Sequence, residues 1–161
     1  MSGERCVRAW VGVIEGGEGR CAWGSVLRFD PFVRGTRGEA LYPNTMQSLF
    51  ASLIALFETV KRPVPLYIRM IAPFEPMNIP AFLARVKELG WRNSKGEELS
   101  SKDLLIRLDE LLSEYGSEIE WSWVKSDAVR DSDEIRSINL ARESLETISA
   151  GKRVINYYKK D

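Results

Sequence analysis

The 161-residue chain contains no histidine. That absence excludes a Ser/His or Cys/His nucleophile pair, a histidine general base and histidine metal ligands. Cysteine is scarce, and Cys6 and Cys21 form no CxxC pair. With no histidine to complete a tetrahedral set, zinc binding is excluded as well. Both cysteines fall on strands expected to be neighbours. The reading adopted is two buried free thiols, with a bridge between them as the alternative. No apolar run reaches the roughly 18 residues of a membrane helix. The opening Met-Ser-Gly-Glu-Arg leads into no secretory apolar segment, so a soluble cytoplasmic or nuclear protein with no membrane partner is expected. Net charge is lacking too, since 23 basic residues balance 23 acidic ones. A strong, non-specific polyanion binder would need an excess of cations, although a local basic patch remains compatible with neutrality.

What is present is a globular composition, 44% apolar and 29% charged, in a chain long enough for one real core. Arg5 to Glu15 and Cys21 to Phe29 read as two strands joined across Gly16-Gly17-Glu18-Gly19. The next stretch, Asp30 to Gly38, is turn-rich, with a short third strand around Glu39 to Tyr42. Helical periodicity then runs from Thr45 to Val60, with Asn44 placed as its N-cap. Val64 to Ile71 reads as a buried strand. Helices follow near Pro80 and Ser101, then an alternating strand over Glu118 to Val124, then a helix from about Asp131 to Ala150. This order predicts a mixed α/β fold, a five-stranded sheet of three antiparallel strands and two parallel ones with helices on both faces. Residues 1–150 form the expected domain, followed by a basic and aromatic tail over 151–161.

Five stretches, in this order and spacing, carry a resemblance: AWGSVLRF, PNTMQSLFASLIALFE, GWRNSKGEELSSKDLLIRLDELL, EWSWVK and INLAR. Together they resemble the type 1 ribonuclease H family over nearly the whole chain. The resemblance implies a ribonuclease H-like fold and hydrolysis of the RNA strand of an RNA–DNA hybrid by two Mg²⁺ ions ~4 Å apart. It also implies four carboxylate ligands, from the first strand, first helix, fourth strand and last helix.

Transferred residue by residue, the first-strand position falls on Glu15, a carboxylate that could equally be a partly exposed strand-end glutamate. The helix position falls on Ser48, or on Gln47 one residue earlier, and no acid lies between Glu39 and Glu58. The fourth-strand position falls on Met70, read as core packing, and the last-helix position on Asn139. The family's flexible-loop histidine would lie near Asp127. Three of four carboxylates are therefore expected to be missing, with no resident metal or other cofactor. Mg²⁺ enters only on the alternative reading of a residual nuclease, and an unconventional metal site from Glu15, Glu18 and Asp127 is the minor variant. Asp131, Asp133 and Glu134 read as helix N-terminal acids rather than ligands.

The main expectation is a catalytically degenerate domain that binds RNA–DNA hybrid or another nucleic acid. The resemblance points to Asn44, Lys87, Trp91, Arg92, Lys95 and Lys125 as contacts, although Asn44 is also a plain helix cap and each lysine a plain surface charge. A protein-interaction or scaffold domain is the alternative, with any outward-facing Trp10, Trp23, Trp121 or Trp123 as its anchor.

Overall fold

A computed structural model describes residues 6–61 and 63–150. Strand β1 (Val7–Glu15) pairs antiparallel with β2 (Cys21–Phe29), and β2 pairs antiparallel with β3 (Phe32–Arg37). Helix α1 (Thr45–Thr59) crosses to β4 (Leu66–Ala72), which lies parallel to β1. Helices α2 (Ile79–Glu88) and α3 (Lys102–Tyr115) precede β5 (Ile119–Lys125), parallel to β4. A 3-10 turn over Ser126–Ala128 leads into α4 (Ser132–Ala150). The sheet order is β3-β2-β1-β4-β5, the mixed sheet expected from the sequence.

Two cores result from the period-2 alternation of the central strands. On one face Val7, Ala9, Val11, Val13, Ile68 and Met70 pack with α1, α2 and α3. On the other face Trp10, Val26 and Ile71 pack against Ile138 of α4. Glycine makes the second layer thin. A Cβ on Gly24 would lie 2.5 Å from both the Ala141 nitrogen and the Ser137 carbonyl oxygen, so β2 and α4 touch backbone to backbone.

Local signals set the helix boundaries. The Gln47 and Ala81 amides donate to the Asn44 and Asn78 side chains, capping α1 and α2. At α4 the Glu134 amide donates to Asp131, while the Glu134 carboxylate accepts from the Arg130 and Asp131 amides. That reciprocal pairing is a capping box.

Two expectations need correction. The third strand is Phe32–Arg37, within the stretch read as turns, whereas Tyr42 only bridges to Cys21. Pairing with β2 turns this polar, exposed segment into an edge strand. The two cysteines lie near opposite ends of β1, because Cys21 faces Glu15 in the register and Cys6 precedes Val7. A bridge is out of reach, and both are free thiols; Cys21 is buried, Cys6 half-buried. The tail over 151–161 lies outside the described residues. Among those described, no helix is long and apolar enough to cross a membrane.

Candidate functional site

The strands β1 and β4 run parallel side by side, so their C-terminal ends and the middle of α4 converge at one corner of the sheet. The four positions singled out in the sequence have different surroundings. Glu15 is exposed at the end of β1, past Gly12, the last β1 residue paired with β4. It lines a cleft with Pro73, just after β4, with Ser126, and with Arg142 and Glu146 of α4. Ser48 is wholly buried in α1, and neither its hydroxyl nor the Gln47 side-chain oxygen has a hydrogen-bond partner among the described residues. Met70 belongs to the core on the α1 side. Asn139 is exposed on α4, accepting a hydrogen bond from Arg142 at 2.9 Å.

The residues that do converge are one to three positions away. Gly12 pairs with Ile71, and a Cβ on Gly12 would sit 3.1 Å from both Ile138 Cδ1 and Ser137 Oγ. Ile71, Ile138 and Trp10 close this corner as an apolar cluster. Helical spacing held the clue, because Ile138, Ala141 and Leu145 form one stripe that excludes Asn139. In β4 the shift from Met70 to Ile71 is one residue, enough to move a side chain to the opposite face.

Arg69, the neighbour of Met70, lies on the α4 side and pairs with Glu134 at 3.3 Å. Asp133 takes two hydrogen bonds of 3.0 Å from Arg28, which raise the Arg28 pKa. These acids therefore tie the start of α4 to the sheet while capping it. Beside the corner, burial first and then the Glu15 charge push the Cys21 thiol up to about 11. Among the described residues, no group of three or more His, Cys, Asp or Glu side chains could hold a metal ion.

The anticipated nucleic-acid contacts lie at the start of α1, at the end of α2 and the turn after it, and at the end of β5. Asn44 caps α1 with its side chain. Lys87 pairs with Asp109 at 3.1 Å, and Lys125 lies 3.9 Å from Asp127. Trp91 is half-buried against the core at a positive φ of 64°. Arg92 donates to the Gly96 carbonyl, and Lys95 is exposed in the same turn. Trp10 and Trp23 are buried, and Trp121 and Trp123 pack against the core.

The strand order and the placement of the four helices define a ribonuclease H-like domain. No family model matches the chain. Among curated relatives, the ribonuclease H of Afipia carboxidovorans is 31% identical over 135 residues, covering 83% of this chain and 88% of the relative. The chain belongs to the ribonuclease H family. Among solved structures, RNase H1 from Halobacterium salinarum NRC-1 matches with a TM-score of 0.53 at 20% identity, covering 88% of this chain and 98% of that one. A foamy viral protease-reverse transcriptase in complex with RNA/DNA hybrid matches with a TM-score of 0.64 at 11% identity, over 89% of this chain and 20% of that one.

Proposed function

We propose that this chain is a catalytically silent ribonuclease H-like domain that binds RNA–DNA hybrid or duplex without cutting it. The observation that carries the reading is the corner where β1, β4 and α4 meet. Two-metal phosphodiester hydrolysis needs hard oxygen ligands around both ions. Gly12, Ile71 and Ile138 offer none, and the close approach of α4 to Gly12 and Gly24 leaves no room for ions between them. The Ser48 hydroxyl is neutral and buried in α1, and of the four carboxylates expected from the family Glu15 alone is present, at the exposed end of β1 beside Pro73, Arg142 and Glu146. The residues present do not fit a pair of divalent cations. Neutral side chains here also spare the fold the mutual repulsion of clustered acids.

Support for binding comes from the family, and from a fold neighbour solved on RNA/DNA hybrid. Arg92 and Lys95 project from the turn after α2 and suit phosphate contact, with Asn44 and Lys125 as further contacts. Each phosphate neutralised by these cations adds to the salt dependence of the complex.

The test is a labelled RNA–DNA hybrid incubated with Mg²⁺ or Mn²⁺, with a gel shift on the same samples. The expected result is a salt-sensitive complex and intact RNA. Cleavage that disappears in Glu15→Ala would overturn the silent-domain reading, and absence of any complex would overturn the binding one. Arg92→Ala with Lys95→Ala is expected to weaken the complex and lower the salt slope by roughly one per lost contact.

A further inference from the structure

A cleft of about 460 Å³ lies far from the corner just described, between the β2–β3 hairpin and the exit of α1. Register fixes one wall. Leu27 pairs with Arg34 and Phe29 with Phe32, so these four side chains share the α1-side face of the sheet. Val60 and Val64, which flank the chain's turn from α1 to β4, form the other wall. The helix covers β1 and β2 on this face, leaving the outer strand open. Phe32 is consequently 73% exposed, the most exposed large apolar side chain described.

Among the described residues, the charged side chains lining the cleft are Arg34 on the hairpin wall and Lys61 on the helix wall, both basic. Both are exposed, and neither has an acidic partner among the described residues. Strand β3 is also a sheet edge, so its outer amides and carbonyls are available to a further strand. An apolar floor between two cations beside an open edge suits an extended peptide, whose side chains fill the floor while its backbone pairs with the edge strand.

We propose that this cleft docks an extended peptide segment of a partner protein, bulky and apolar at its centre and acidic on its flanks. Its apolar side chains cover Leu27, Phe29 and Phe32, and its carboxylates reach Arg34 and Lys61. Rim charges of this kind set partner choice and association rate, while the buried apolar contact holds the complex.

The experiment uses the full chain and a fluorescein-labelled peptide, Gly-Glu-Val-Phe-Val-Glu-Gly, against the same peptide with lysine in place of both glutamates. Fluorescence anisotropy is expected to show binding of the acidic peptide alone. Double reversal, Arg34→Glu with Lys61→Glu, is expected to weaken it by about tenfold or more, as is Phe32→Ser, with circular dichroism unchanged in each. Equal or absent binding of the two peptides would overturn the proposal, as would indifference to the double reversal. Displacement of the peptide by RNA–DNA hybrid would assign the cleft to nucleic acid instead. A concentration-dependent dimer abolished by Phe32→Ser would assign it to a second copy of this chain.

Discussion

Gly24 and Cys21 lie three residues apart on β2, and each is closely enclosed by its neighbours. A methyl group at Gly24 meets backbone atoms of α4 at 2.5 Å, and backbone cannot swing aside as a flexible side chain can. Gly24→Ala is expected to destabilise by about 2–3 kcal/mol, the upper range for overpacking, measured by urea unfolding. Cys21 is sealed at the other end of its strand's pairing with β1. Its thiol is held neutral to about 11 against an ordinary 9.0, by burial first and the Glu15 charge second. A raised acid pKa means the folded state favours the neutral thiol. Stability from this source is present below pH 9 and is lost as pH climbs towards 11, because the unfolded chain releases its proton first. Wild type should therefore lose stability more steeply than Cys21→Ala across that window. Thiol labelling at pH 8 should modify Cys6 readily and Cys21 only on unfolding, since the thiolate is the reacting species.

At the scale of elements, α4 is anchored at its start by acids serving two ends at once. One Glu134 oxygen accepts the Arg130 and Asp131 amides, while the other pairs with Arg69 on β4. Glu134→Ala removes both interactions and should cost about 1–3 kcal/mol. Glu134→Gln can keep the cap and should cost less, a difference readable in paired thermal melts. The caps at Asn44 and Asp131 were legible in the sequence, as were β1, β2, β4, β5 and all four helices, because alternation, helical stripes and Asn or Asp caps are local signals; Asn78, the cap of α2, was not singled out. β3 was not, since Phe32–Arg37 is an exposed edge whose side chains follow no buried/exposed alternation. Its strand character comes from pairing with β2. The resemblance points to Met70 and Asn139, and the neighbouring Ile71 and Ile138 are the residues that pack between β4 and α4, because one residue reverses a strand face and turns a helix by about 100°.

For the whole molecule, the decisive consequence is how it responds to divalent cations. A domain that binds Mg²⁺ in its folded state alone is stabilised by mass action. A site with a millimolar dissociation constant would yield about 1.4 kcal/mol at tenfold excess, or roughly 3–6 °C in midpoint for a domain of this size. The corner formed by Gly12, Ile71 and Ile138 presents no carboxylate to such an ion, and no described cluster of acids substitutes for it. The melting midpoint is therefore expected to be the same in 10 mM Mg²⁺ as in NaCl of equal ionic strength, within about half a degree. Ile138→Asp sharpens the comparison. An aspartate there enters an apolar pocket beside Trp10 and Ile71 and should cost about 3–5 kcal/mol, as expected for an unpaired buried charge. If the corner were still arranged to take a metal, Mg²⁺ would recover much of that loss by pairing the new carboxylate. If α4 has closed over the sheet through Gly12 and Gly24, as its contacts indicate, Mg²⁺ leaves the variant as unstable as before. A selective Mg²⁺ rescue of Ile138→Asp would therefore count against the silent-domain reading even with no cleavage detected.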